Sequence, residues 1–216
     1  MNFEQARFNM VEQQIRPWDV LDPEVLETLM MVKRELFVSP EHQALAFAEI
    51  ELPIGCGQTM LSPKIEAKAL QALNVKHTDN VLEIGAGSGY MAALLAARGE
   101  LVCTVEIESQ LAQLAADNLS RNGIDNAIVE EGDGSLGWSR MDYDVIMVSG
   151  ALPEIPAQML AQLKHGGRLF AFVGEAPVMR ARLVTRVDEA AYQTVDLFEF
   201  LAPPIRLAMQ PTRFEF

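Results

Sequence analysis

Glu83, Gly85, Gly87 and Gly89 share one short stretch, "VLEIGAGSGYMAAL", in which an apolar run meets a three-glycine turn and then small helix-forming residues. A glycine turn between a strand and a helix lets a ligand approach the backbone closely and presents amide groups to it. The dinucleotide fingerprint G-x-G-x-x-G aims those amides at a pyrophosphate. Here Tyr90 stands where that fingerprint has its third glycine, and Glu83 lies two residues ahead of Gly85. A carboxylate repels a pyrophosphate and attracts a cation or an amino group, so the expected ligand is not an anion at this point. About 20 residues downstream, Glu106 closes the apolar run "LVCTVE", where an acid can accept hydrogen bonds from both hydroxyls of a ribose. Without the glycine turn upstream it would read as an exposed strand-end charge. Asp133 and Gly134 lie in "EEGDGSLGW", just past the next apolar run and near where an adenine would sit. The plainer alternative for them is an ordinary Asp-Gly turn. A ribose, an adenine and a cationic aminoacyl end together describe S-adenosylmethionine, which carries an α-amino group and a sulfonium and no phosphate.

These residues need a scaffold of alternating strands and helices. From about residue 80, strand candidates Val81–Ile84, Leu101–Ile107, Ala127–Glu130, Tyr143–Val148, Arg168–Val173, Arg182–Val187 and Thr194–Phe200 are interspersed with helical stretches Tyr90–Arg98, Ser109–Asn122 and Ile155–Leu163. Short apolar runs separated by helices predict a parallel sheet covered on both faces. The last two candidates are joined only by "DEAAYQ", which predicts an antiparallel pair at one edge. The expected fold is therefore α/β: a doubly wound, mostly parallel seven-stranded sheet, an antiparallel last strand and an N-terminal helical extension. In that extension Phe8, Val11 and Ile15 are spaced to share a helix face, and "DPEVLETLMMV" starts with an Asp cap and a first-position Pro. "ELPIGCGQTMLSPK", with Pro and Gly at intervals, reads as a loop, and "KIEAKALQALNV" as a helix. The expected division is an extension with a substrate and cofactor loop over residues 1–60 and a Rossmann-like domain over 61–216, forming a single domain overall.

Composition narrows the partners. A net charge of −13 over 216 residues opposes nucleic-acid binding, which needs a basic surface. No apolar run is long enough for a bilayer, and the first residues lack a signal peptide's basic start and apolar block, so no membrane association and a cytoplasmic location are expected. Cys56 and Cys103 read as reduced thiols, and the scattered His42, His77 and His165 predict no metal. The Met-rich runs read as core filling, and Trp18 and Trp138 either line a peptide groove or pack on the sheet. Oligomeric state is not legible.

Several longer stretches carry a resemblance. In order, "MVEQQIRPWDV", "RELFVSPEHQALAFAEIELPIGCGQT", "VLEIGAGSGY", "GDGSLG" and "YDVIMVSGALPEIPAQMLAQLKHGGRLFAFVG" resemble the protein-L-isoaspartate O-methyltransferase family. The resemblance runs from about residue 10 to about 175 and weakens beyond Gly174. It implies methyl transfer from S-adenosylmethionine to the free carboxylate of isoaspartyl residues in peptides or proteins. By position it implies cofactor contacts at Thr59, Glu83, Gly85, Gly87, Gly89, Glu106, Asp133 and Gly134. The family's loop typically reads G-Q-T-I-S-x-P, with its serine hydroxyl at the reacting carboxylate. Here Gln58, Thr59 and Pro63 set the register so that Leu61 holds the serine position, Ser62 comes one residue late, and Lys64 follows the proline. Ser62, Thr59 or Lys64 is then the candidate to meet the substrate carboxylate, and no residue is assigned as catalytic. The competing readings are a cofactor-binding regulatory module, a methyltransferase acting on a different carboxylate or small molecule, and, opposed by the glycine spacing, a nicotinamide-dependent oxidoreductase.

Overall fold

The protein, seen in a computed structural model that describes residues 1–208, begins with helix α1 (Phe3–Met10), whose N-cap Asn2 side chain accepts from the Gln5 amide. The chain continues into a π-helical turn, Val11–Ile15. Bonding from i to i+5 puts extra backbone into each turn and rotates any face extrapolated from a 3.6-residue period. Val11 and Ile15 are buried as expected, but Phe8 is 48% exposed and Met10 takes the inward place. Helix α2 (Pro23–Met31) starts as its sequence dictates, with the Asp22 carboxylate accepting from the Glu24 amide at 2.9 Å. The loop expected over residues 51–64 is instead partly ordered into a hairpin, β1 (Leu52–Gly55) against β2 (Gln58–Met60). Pro53 has no amide to donate, which a two-stranded ribbon tolerates and a central strand would not. Helix α3 (Pro63–Leu73) follows directly.

The sheet comes from the second part of the chain. Its strands are β3 (Asn80–Ile84), β4 (Leu101–Glu106), β5 (Ala127–Glu131), β6 (Tyr143–Leu152), β7 (Leu163–Glu175), β8 (Val178–Asp188) and β9 (Ala191–Glu199). They lie in the order β5-β4-β3-β6-β7-β8-β9. The first five are mutually parallel; β8 pairs antiparallel with β7, and β9 antiparallel with β8. Helices α4 (Tyr90–Ala96), α5 (Ser109–Arg121) and α6 (Ala157–Ala161) join the parallel strands. The helix expected over Ile155–Leu163 is shorter because Leu163 is captured by β7, fully buried beside β6.

Side chains alternate across the sheet. Val81, Val145, Met147, Phe170 and Phe172 face a core shared with Met10, Ile15, Leu29, Leu70 and Leu94. Leu82, Ile84, Ile146, Val148 and Leu169 face a second core with Met159. The N-terminal segment is also tied down by buried ion pairs, Arg7 with Glu35 and Arg34 with Glu66. Strand order runs outward from β3 to β5, then returns to β6 on the other side of β3. That reversal opens a crevice at the carboxyl ends of β3 and β6, the usual ligand position in such sheets. Among the described residues no helix is long and apolar enough to cross a membrane.

Candidate functional site

The glycine turn leaves β3 at this crevice. Gly87 has φ +52° and a Cβ there would lie 3.0 Å from Ile54 Cδ1 of the hairpin. Gly89, at φ +82°, heads α4, and its Cβ would come within 3.1 Å of the Ala115 backbone on α5. Both positions therefore demand glycine, one for the hairpin and one for helix packing. Tyr90 fills the place of a third fingerprint glycine because the N-terminal segment gives its ring a bed. The ring is buried edge-on against Phe37 at 5.4 Å, with the Arg34 guanidinium 5.0 Å from its centre.

A cleft of about 650 Å³ opens above the turn. It is lined by Gly85 and Gly87 after β3, Glu106 and Glu108 after β4, Asp133 and Gly134 after β5, and Ser149 and Gly150 on β6. Glu106 is 6% exposed; one carboxylate oxygen accepts from the Gly87 amide at 2.9 Å and the other from the Glu108 amide at 3.1 Å. A carboxylate has about four lone-pair sites, so acceptor capacity remains. Asp133 lies at the rim, with one oxygen accepting from the Ser135 amide at 2.9 Å. The far wall comes from Pro203–Arg206. Ala151 and residues 203–205 exchange backbone bonds of 2.7 and 2.9 Å, and Arg206 pairs with Glu108 while donating to the Cys56 carbonyl at 2.7 Å. Three carboxylates line this cleft, and its lining cation among the described residues is already committed to one of them. Such a lining suits a diol and a cation and opposes a diphosphate.

Glu83 sits behind the turn, fully buried, in an adjoining cavity of about 310 Å³ shared with Thr59, Leu61, Glu66 and Ser149. Its oxygens accept from the Thr104 and Ser149 hydroxyls, each at 2.7 Å. Burial pushes its carboxyl up to about 8, against the pull of the two hydroxyls and helped by the charge of Glu106. The sequence implies a carboxylate at Glu83, two residues before Gly85, that meets a cationic part of the ligand directly. Strand alternation turns it inward, where burial raises its carboxyl, and the negative lining of the cleft comes from Glu106, Glu108 and Asp133.

The hairpin supplies the remaining wall. Thr59 borders both cavities and donates its hydroxyl to Glu51 at 2.9 Å. Leu61, 5% exposed, lines the second cavity, while its carbonyl accepts from Arg34 at 2.7 Å. Ser62 turns the other way and donates to Glu49 at 2.5 Å. Lys64 lies 3.8 Å from Glu49 and 4.0 Å above the centre of the Trp18 ring. Ser62 and Lys64 thus line a separate groove. Gly89 lines none of the three, its place being structural. The structure brings Thr59, Glu83, Gly85, Gly87, Glu106, Asp133 and Gly134 together around two adjoining cavities. Glu108, Ser149, Ile205 and Arg206 were not singled out from sequence. Glu108 shares its side with Glu106 two residues earlier, which was a usable signal; Arg206 carries no local one.

A doubly wound sheet with a crevice at its switch point, lined by three carboxylates that oppose a diphosphate, fits a Rossmann-like methyltransferase fold. The chain belongs to the protein-L-isoaspartate(D-aspartate) O-methyltransferase family, whose model matches residues 5–200. A protein-L-isoaspartate O-methyltransferase of Petrotoga mobilis is 39% identical over 191 residues, covering 88% of this chain and 90% of the relative. A protein-L-isoaspartate O-methyltransferase 1 of Rhodopseudomonas palustris is 44% identical over 193 residues, covering 87% and 78%. A Plasmodium falciparum protein-L-isoaspartate O-methyltransferase structure, in complex with S-adenosyl-L-homocysteine, superposes with a TM-score of 0.81 at 18% identity, covering 95% of this chain and 99% of that one.

Proposed function

We propose that this chain transfers the methyl group of S-adenosylmethionine to the free carboxylate of L-isoaspartyl residues in peptides or proteins. The observation that carries this reading is the pair of adjoining cavities, one lined by three carboxylates, the other floored by Thr59 and Leu61, in a member of this family. Glu106 would hold the ribose hydroxyls, Asp133 and Gly134 the adenine, and Glu83, Gly85, Gly87 and Thr59 the aminoacyl end. When bound, the cofactor supplies an electrophilic methyl group on a positively charged sulfur. An acceptor carboxylate with an ordinary pKa near 4 is already ionised at neutral pH, so the chain needs no general base. Its residues orient the acceptor and exclude water. Met60, Leu61 and Met91 give the second cavity apolar walls suited to that exclusion. The same proposal includes a cytoplasmic location and an acceptor other than nucleic acid, in keeping with the charge of −13.

Leu61 gives weight to a second reading, a cofactor-binding protein with weak or no transfer. A hydroxyl bonded to a charged acceptor contributes about 1.5–3 kcal/mol, or roughly one to two powers of ten in rate. Ser62, bonded to Glu49, is turned away from that role, and Thr59, which does border the acceptor cavity, donates its hydroxyl to Glu51. Incubation with methyl-labelled cofactor and an isoaspartyl peptide, beside its normal aspartyl twin, decides between them. Base-labile label on the isoaspartyl peptide alone is expected. Cofactor binding with no transfer would overturn the proposal in favour of the second reading. Leu61→Ser is expected to raise turnover about tenfold or more.

A further inference from the structure

A groove of about 940 Å³ lies on the outer side of the Thr59–Ser62 segment, bordered by Trp18, Glu49, Lys64, Lys68 and Phe198. It is joined to the acceptor cavity through its wall: Leu61 lines the cavity and the next residue, Ser62, lines the groove. Glu51 lines the groove as well, and it holds the Thr59 hydroxyl.

The charges along this groove are unequal in their commitments. Glu49 accepts from the Ser62 hydroxyl and the Lys64 amide and faces the Lys64 ammonium. Glu51 is taken by Thr59, and Glu199 faces Arg180 at 4.0 Å. Lys68 differs. Its ammonium lies 4.6 Å from the centre of the Phe198 ring and 5.9 Å from that of Trp18, with no carboxylate partner among the described residues. Aromatic faces hold an ammonium in place without neutralising it. The groove also borders β9, the end strand of the sheet order, the kind of edge on which an extended polypeptide can lie.

We propose that this groove seats the polypeptide flanking the methylated residue, and that the Lys68 ammonium pairs there with an acidic side chain of the substrate. The proposal rests on the methyl-transfer reading for its substrate, and its test separates the two. Three isoaspartyl peptides, identical except for Glu, Gln or Lys at one flanking position, are compared in wild type, Lys68→Met and Lys68→Glu. Each is assayed for methyl transfer and, calorimetrically, for binding to protein carrying S-adenosylhomocysteine. In wild type the Glu peptide is expected to show a KM on the order of threefold below that of the Gln peptide with kcat unchanged, the size of an exposed ion pair. The preference should shrink as salt is raised, vanish in Lys68→Met and invert towards the Lys peptide in Lys68→Glu. A merely structural lysine would not produce that inversion. An identical ranking in all three proteins, or no binding of any peptide, overturns the groove assignment. Charge-ranked binding without any transfer would sustain the groove and defeat the methyl-transfer reading instead.

Discussion

Glu83 and Glu106 border adjoining cavities, yet their surroundings give them opposite tasks. Glu106 is held by two backbone amides at the edge of the cleft. Hydrogen bonds to a charged group are worth about 1.5–3 kcal/mol. Glu106→Ala is therefore expected to weaken cofactor binding by roughly tenfold to a hundredfold, read by calorimetry; an unchanged affinity would remove it from the ribose role. Burial pushes the Glu83 carboxyl from an ordinary 4.5 up to about 8 in the fold. Between those values the unfolded chain has released this proton and the folded chain keeps it, so the folded state binds more protons and stability falls as pH rises. The contribution is complete below about pH 4.5 and gone above about pH 8. The thermal midpoint should thus drop across that window, with a shallower slope in Glu83→Gln. Equal slopes in the two proteins would show that Glu83 is ionised throughout.

Elements were legible where one local rule governed them. The parallel strands are short apolar runs between turns, and α2 announces itself through Asp22 and Pro23; both were read to within a few residues. Three features departed from those rules. The π turn at Val11–Ile15 carried Phe8 outward, Leu163 was drawn into β7, and the hairpin formed despite Pro53 and its glycines. That hairpin is set by contacts from elsewhere: Arg34 reaches the Leu61 carbonyl and pairs with Glu66 on α3. Removing one member of a buried ion pair strands the other, at a cost of about 3–5 kcal/mol. Arg34→Met should lose about that much in denaturant unfolding, and Arg34→Met with Glu66→Leu should recover part of it. If the double variant is no better than the single one, the loss comes from the Leu61 carbonyl and the packing on Tyr90.

At the scale of the molecule, the candidate site divides by sequence separation. The glycine turn, Glu106 and Asp133 follow successive strand ends and were visible in the sequence because the sheet converts that regular placement into proximity. Arg206 and Ile205 were not, since nothing near them in sequence indicates the groups they meet. Arg206 spans 150 positions to Cys56 and 98 to Glu108. This wall has a kinetic consequence. Loop closure over such distances is entropically expensive, and contacts of this kind form late. A nucleoside ligand that needs the closed cleft has little to grip before the folding barrier has been crossed. S-adenosylhomocysteine should accordingly slow unfolding while leaving the rate of refolding from denaturant unaltered. Stopped-flow measurements with and without the ligand check this. An accelerated refolding limb would mean that the nucleoside is already held by the strand ends alone, before the tail arrives.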